Sequence, residues 1–227
     1  MKNRYANGAH FTKEKFRLLV KYFCKDFTVL QIADLLHINR NTASLWVNKI
    51  RQRIYELVEE ERMSNAKCVQ MDETYFTKTM EYYPKYKFPY QEIVVFGIIN
   101  EQGKVYAKIV DKANKREILP IIQQCCAKNA IIYTDSAVLY KGLSKLGYHH
   151  YFVNHVDKIF SKHIDDMCIT TNRIEGFWGC MKVRFAKFRG IKWDNLHLHI
   201  AESVWHFNHR QDDIYLLLLR NFRNLKL

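Results

Sequence analysis

Proline and glycine are scarce, three and eight residues in a chain of 227. So little turn chemistry excludes long flexible linkers and low-complexity tracts, and the sequence holds no internal repeat. The six cysteines, at positions 24, 68, 125, 126, 168 and 180, form no C-x-x-C pair. That argues against a zinc ribbon or a thioredoxin-like motif and leaves lone buried thiols as the default. Long apolar runs are absent as well, none approaching the roughly 18 residues of a membrane span. The opening "MKNRYANGAHFTKEKF" has no apolar segment of a secretory signal, so a cytoplasmic location is expected. Acid is also in short supply: 36 Lys and Arg stand against 23 Asp and Glu, a net charge of +13. A surplus of that size points to a polyanionic partner, nucleic acid ahead of an anionic membrane surface, and says nothing about fold.

What is present suffices for a packed core, since hydrophobic residues make up 48% and aromatic residues 14%. A disordered tail protein is thereby excluded. The clearest boundary lies at "EEERMSNAK", Glu59 to Lys67, where a charged helical pattern gives way to strand-like sequence. The expected division is residues 1–62 and residues 63–227.

Before the boundary, Thr12 is placed to cap a helix with Phe16, Leu19, Val20 and Phe23 on one face. Two further stripes follow, Val29, Ile32, Ala33 and Leu36, then Ala43, Trp46, Val47 and Ile50, separated by a short break at "HIN". A small residue in the first helix, Ile38 in the turn and polar residues opening the second helix fit a helix-turn-helix. His37 holds a turn position where glycine is common. The residues that would reach DNA are Asn39, Arg40, Asn41, Thr42, Ser44 and Asn48. A trihelical packing bundle without DNA function has the same pattern.

After the boundary the pattern predicts strands at "CVQMDETYF", "EIVVFGIIN" and "KVYAKIV", the last two joined through Gly103. A helix "KREILPIIQQCCAK" comes next, with Pro120 as a kink or near the first turn. Then come a buried strand "AIIYTD", a helix "SAVLYKGLSKLG" closed by Gly147, a strand "YHHYFV" and a long helix. This is the element order of an RNase H-like α/β fold, although periodicity alone fits other α/β arrangements.

Two carboxylates fall where strand meets loop, Asp72 and Asp135, the position at which ligands gather in α/β sheets. Asp72 and Glu73 alternate, so both cannot point into one site, and parity does not choose between them. Asp135, followed by Ser136, has a competing use as a helix N-cap. The stretch "TTNRIEGFWGCMKVRFAKFRG" adds a third acid. From Arg173 to Lys192 it carries six basic residues (Arg173, Lys182, Arg184, Lys187, Arg189, Lys192) and a single acid, Glu175. At helical spacing Ile174, Phe177, Trp178, Met181 and Phe185 form an apolar stripe, with Asn172, Glu175, Gly179 and Lys182 on its flank. Glu175 and Lys182 are about 10 Å apart along the axis, too far for a direct ion pair. Three separated carboxylates with a nearby cation suit two-metal phosphodiester chemistry, for which Mg²⁺ asks few protein ligands.

The blocks "DETYF", "YTD", "VNH", "NRIEGFWGCMK" and "ESVWHFNHR", in that order, resemble a compact bacterial insertion-sequence transposase of the DDE type. The group is the ISXO-like one, in its short form without an N-terminal zinc ribbon, and the resemblance covers nearly the whole chain. It implies an RNase H-like catalytic domain behind the helix-turn-helix, with Asp72, Asp135 and Glu175 binding two Mg²⁺ ions (Mn²⁺ as a substitute) and Lys182 as the associated lysine. It further implies double-stranded DNA as partner, both element ends and target, and a homodimer or larger assembly in a bacterial, nucleoid-associated setting. Arg173, Lys182, Arg184, Lys187 and Arg210 are the expected phosphate contacts beyond the helix-turn-helix. Glu73, Tyr75, Asn154, His155 and Asn172 are expected to support the site. The rival readings are a silent or domesticated DNA-binding copy and a cellular RNase H-fold nuclease. A zinc site from His149, His150, His155 and His163 is disfavoured because the ligand spacing is unpaired, and no base stands beside Cys125, Cys126 or Cys180 for thiol catalysis.

Overall fold

A computed structural model describes residues 4–6, 8, 11–79, 90–135, 138–153, 162–164, 167–188 and 191–227. Asn154 and His155 lie outside the described residues. The chain divides into two compact units, Glu61–Val183 and a second formed by Met1–Glu60 with Arg184–Leu227. The expected single domain over 63–227 is thus divided: its C-terminal helices group with the N-terminal ones.

In the helical unit α1 (Lys13–Cys24) starts at Thr12, whose side chain accepts the N–H of Lys15. Helix α2 (Val29–Leu35) begins with a capping box between Thr28 and Gln31. Its end explains the turn. The N–H groups of Ile38 and His37 bond the carbonyls of Ala33 and Asp34, with His37 at φ 48°. This is a Schellman closure with His37 in the left-handed position that glycine usually fills. Asn39 then accepts the N–H of Asn41 at 2.8 Å and opens α3 (Arg40–Glu60). Ala43, Trp46, Val47, Ile50 and Ile54 of α3 are buried.

The reason residues 184–227 join this unit is visible in its core. Phe222 of α7 (Ile214–Asn224) meets Phe16 edge-on at 6.0 Å. On α6 (Leu196–Asn208), Trp205 and Glu202 are fully buried. Arg51 Nε donates to Glu202 at 2.7 Å, and Arg184 pairs with both Glu202 and Asp26, the latter at 2.7 Å. Burial alone would raise the Glu202 carboxyl, but Arg184 and Arg51 hold it down at about 2.

The sheet unit is built on five strands, β1 (Ala66–Thr79), β2 (Tyr90–Asn100), β3 (Val105–Val110), β4 (Cys126–Asp135) and β5 (His149–Val153). Their spatial order is β3-β2-β1-β4-β5. The first three strands are antiparallel neighbours, and β4 and β5 run parallel to β1 and to each other. That order and direction are those of an RNase H-like sheet. Helix α4 (Lys115–Cys125), capped by Asn114, makes the crossover into β4 with Pro120 inside it. Between β2 and β3 the Asn100 side chain accepts the N–H groups of Gln102 and Lys104, and Gly103 takes φ 76°.

The expected helix "SAVLYKGLSKLG" begins outside the described residues, and from Val138 on two 3₁₀ turns, Val138–Tyr140 and Ser144–Leu146, stand in its place. Gly142 and Gly147, at φ 91° and 90°, end each turn in a backbone conformation that no helix continues. A short antiparallel pair of β6 (Lys162–Ile164) and β7 (Met167–Ile169) was not expected from the sequence. Helix α5 spans Asn172–Ala186. Among the described residues no helix is long and apolar enough to cross a membrane.

Candidate active site

The site begins with a glutamine. Gln70 of β1 accepts the backbone N–H groups of Arg173 and Ile174 at 3.0 and 3.2 Å. These belong to the first turn of α5, whose donors have no partner inside the helix. Thr170 and Thr171 complete the start: the Thr170 hydroxyl accepts the N–H of Asn172, and the carbonyl of Thr171 accepts that of Glu175. A strand side chain therefore fixes where α5 meets the sheet. Side chains two apart in a strand share a face, so α5 lies over the face that also carries Asp72.

Gly97 pairs with Asp72 across β1 and β2, and Trp178 occupies the space a side chain would take there. A Cβ on Gly97 would lie 2.6 Å from the indole ring and 3.3 Å from Ile174. So placed, Trp178 Nε1 donates to Asp72 Oδ2 at 3.0 Å. The apolar stripe of α5 is buried at Ile174, Phe177, Trp178 and Met181, and Phe185 is half-buried.

Asp135 comes from the neighbouring strand. Gln70 pairs with Tyr133 in the parallel register of β1 and β4, and both aspartates lie two residues farther on. Adjacent strands are about 4.8 Å apart, so Asp72, midway along β1, and Asp135, at the carboxyl end of β4, stand side by side. Burial raises the Asp72 carboxyl to about 7, the charges of Glu73 and Asp135 add to the rise, and the Trp178 indole opposes it. Glu73 points to the opposite face and accepts a hydrogen bond from Tyr140 at 2.5 Å. Its carboxyl is also raised, by burial first, while the Tyr140 bond lowers it.

Glu175 is on the exposed flank of α5 and accepts a hydrogen bond from Thr171 Oγ1 at 2.6 Å. Among the described residues it does not close into a tight three-ligand group with Asp72 and Asp135. Of these residues only Asp26, Glu202 and His206 bring three such ligand atoms within 4.8 Å of one another. That group lies in the helical unit and is already occupied by cations: Arg184 and Arg51 on Glu202, and Arg184 and Lys187 on Asp26. It is an ion-pair knot with no charge left to attract a metal.

The expected cationic set separates into exposed and buried members. Lys182 is exposed on α5, two turns beyond Glu175. Arg173 is exposed and donates to the Glu101 carbonyl at 3.3 Å. Arg184 is a correction. Only 8% of it is exposed, and it is committed to Asp26 and Glu202, so it does not present a charge to DNA. Lys187 is partly drawn into the same knot, 3.1 Å from Asp26. Arg210 is exposed, over the Phe207 ring at 4.5 Å. At the opening of α3, Arg40 and Asn41 are exposed, and Thr42, Ser44 and Asn48 are half-buried. Tyr75 and Asn172 are exposed as well, and a Cβ at Gly179 would meet nothing.

Four contributors were missed in the sequence: Gln70, Gly97, Tyr140 and the indole N–H of Trp178. An isolated glycine within "VVFGII" was the available signal, because glycine inside a strand marks a close approach by another group. The thiols follow the default in part. Cys125 and Cys126 are buried, burial pushing the Cys126 thiol up to about 12, whereas Cys180 is exposed.

An RNase H-like sheet with two aspartates on its adjacent parallel strands β1 and β4 defines the class of this unit. Within it, the model of the ISXO2-like transposase domain matches residues 65–208, and the chain belongs to that family. It is 29% identical over 117 residues to an uncharacterized transposase-like protein of Haemophilus influenzae (strain ATCC 51907 / DSM 11121 / KW20 / Rd). That stretch covers 52% of this chain and 91% of the relative. Among solved structures, a Mos1 transposase paired-end complex with left transposon end is similar at TM-score 0.34 and 10% identity, over 98% of this chain and 82% of that one.

Proposed function

We propose that this chain is an insertion-sequence transposase that binds the terminal inverted repeats of its element, cleaves a DNA strand and transfers it to target DNA. The observation that carries the reading is the pair of aspartates on β1 and β4. Two carboxylates, one of them raised to about 7 by burial and neighbouring acids, form a site whose charge is relieved by a hard divalent cation held through oxygen. The donor set therefore fits magnesium, with manganese as a substitute. When bound, two such ions would supply Lewis-acid activation of a water or a 3′-hydroxyl and stabilisation of the leaving oxygen.

The chain's own residues then divide the work. Asp72 and Asp135 hold the charge of the site, and the indole N–H of Trp178 fixes one oxygen of Asp72. Glu175 completes the carboxylate set by turning from Thr171 toward the sheet when DNA is in place. Lys182, exposed farther along the same helix, binds a phosphate flanking the scissile one. Cleavage breaks a phosphodiester bond with water and leaves a 3′-hydroxyl; that hydroxyl then displaces a target 3′-oxygen in line. Arg40 and Asn41, at the exposed start of α3, enter the major groove, where helix N-terminal residues read base edges, and Arg173 and Arg210 bind backbone phosphates. Action on two element ends calls for a homodimer or larger assembly on DNA.

The test uses a plasmid carrying the gene with its native flanks, incubated with purified protein and Mg²⁺. Strand nicks are expected at the element ends, and Asp72→Asn, Asp135→Asn and Glu175→Gln are expected to lose nicking while retaining DNA binding. Wild-type nicking by Asp135→Asn and Glu175→Gln together with intact DNA binding would overturn the assignment.

A further inference from the structure

Behind the aspartates, on the face of the sheet turned away from α5, a second set of polar side chains is bonded together. Val69 of β1 and Ile132 of β4 are in register, so Glu73 and Thr134, an even number of residues farther along each strand, share that face. His150 pairs with Ile132 from β5 and faces the same way. Tyr140, five residues after Asp135, is fully buried there, and its hydroxyl donates to Glu73 Oε2 at 2.5 Å. Thr134 Oγ1 donates to the Asp135 carbonyl at 2.6 Å and lies 2.8 Å from His150 Nε2. With its one proton so used, Thr134 accepts from His150, which fixes the proton on Nε2.

One of these bonds, that of Tyr140, spans a gap the backbone ladder leaves open. The pairing of β1 with β4 ends at Gln70 and Tyr133, before either aspartate. Beyond that point the Tyr140–Glu73 bond ties the segment following Asp135 back to the strand carrying Asp72. The Thr134–His150 bond holds the other side of β4.

We propose that Tyr140 is a positioning residue of the carboxylate site: its hydroxyl, held on Glu73, sets the separation of Asp72 and Asp135 and so the affinity of the site for a divalent cation. The proposal rests on the metal-binding reading given under Proposed function. Groups behind the ligands of a metal site change its affinity or activity by about 10–100-fold when removed.

The experiment is direct Mn²⁺ titration of the full chain, following free Mn²⁺ by electron paramagnetic resonance, with circular dichroism and a melting curve for each variant. Wild type is expected to bind Mn²⁺ and Asp72→Asn to lose it. Tyr140→Phe, which deletes one oxygen, is expected to weaken Mn²⁺ binding about tenfold. Glu73→Gln keeps an oxygen that accepts from Tyr140 and is expected to stay within about threefold of wild type, whereas Glu73→Met removes the acceptor and matches Tyr140→Phe. The Gln and Met pair decides the question even where Tyr140→Phe fails to fold. Equal weakening by Gln and Met would show that Glu73 acts through its charge and would overturn the positioning role. Unchanged binding in Tyr140→Phe and Glu73→Met, with Asp72→Asn silent, would overturn it while the metal site stands. Absence of Mn²⁺ binding by wild type would remove both.

Discussion

Replacing Gly97 by alanine tests the packing that places Asp72, because two effects of opposite sign compete there. In an ordinary strand interior alanine is favoured over glycine by about 0.5–1 kcal/mol, since glycine loses more backbone freedom on folding. Gly97 keeps normal strand backbone without positive φ, so that gain is available to Gly97→Ala. Against it, the new Cβ would sit 2.6 Å from two carbons of Trp178. Carbon atoms settle at about 3.5–4.0 Å, so the overlap is about 1 Å against a rigid ring that Ile174 and Phe177 confine. Overpacking of that kind costs about 1–3 kcal/mol and outweighs the backbone gain. The melting temperature should fall by about 2–4 °C per kcal/mol for a chain of this size. Thermal and urea unfolding, followed by circular dichroism, measure the change. The second expected result is recovery: Trp178→Phe lacks the distal ring carbons, so Gly97→Ala should cost less in its presence, with a coupling of about 1 kcal/mol. If Gly97→Ala were as stable as wild type, or if the two changes were additive, the close approach of Trp178 to β2 would be wrong.

Three further outcomes follow from the described geometry. Glu202→Gln leaves Arg51 and Arg184 buried without their shared carboxylate and should destabilise the helical unit by about 3–5 kcal/mol, read by urea unfolding. His199 should lower stability on acidification from pH 6.5, against the opposite contribution of Asp72, whose raised carboxyl takes up a proton in the folded chain over the same range. Burial, with Arg51 adding, depresses His199 to about 3, so below pH 6.5 the unfolded chain takes up a proton that the folded chain refuses, and stability is lost as pH falls. His199→Gln should shift the pH dependence of the melting temperature between pH 6.5 and 5 toward a smaller loss, or a larger gain, on acidification than in wild type. Glu202, depressed to about 2, contributes stability that is complete above its ordinary range and disappears as pH falls from about 4.5 toward 2. Lys182→Ala should weaken DNA binding and reduce the slope of log Kobs against log salt by about 0.9, whereas an unchanged slope would place Lys182 away from phosphate.

Charge at regular spacing was a poor guide to which cations face outward. Lys182 and Arg184 are two residues apart in one basic run, yet Lys182 is exposed and Arg184 is buried between Asp26 and Glu202. Nothing local in "MKVRF" distinguishes them, because the acids that claim Arg184 are 158 residues before it and 18 after it. The apolar stripe of α5 was legible because helical periodicity is a local property, and Ile174, Phe177, Trp178 and Met181 are buried as the spacing predicts, with Phe185 half-buried. The turn between α2 and α3 was legible where the apolar stripes break, although His37 takes the left-handed position without being glycine. The helix predicted over residues 136–147 was not, since Gly142 and Gly147 override the apolar spacing around them.

The sequence by itself determined most of the strand and helix order, the position of Asp135 at the end of its strand, and the family, whose motifs occur in order along the chain. Those features depend on periodicity and on residue types read one segment at a time. Only the tertiary structure decided which of Asp72 and Glu73 faces α5, because strand parity has no origin until a neighbour is docked. Gln70 supplies that origin by capping α5, and Gly97 allows Trp178 close enough to hold Asp72. The same long-range packing turns Glu73 to the opposite face and onto Tyr140, a pairing across 67 residues that no local pattern encodes.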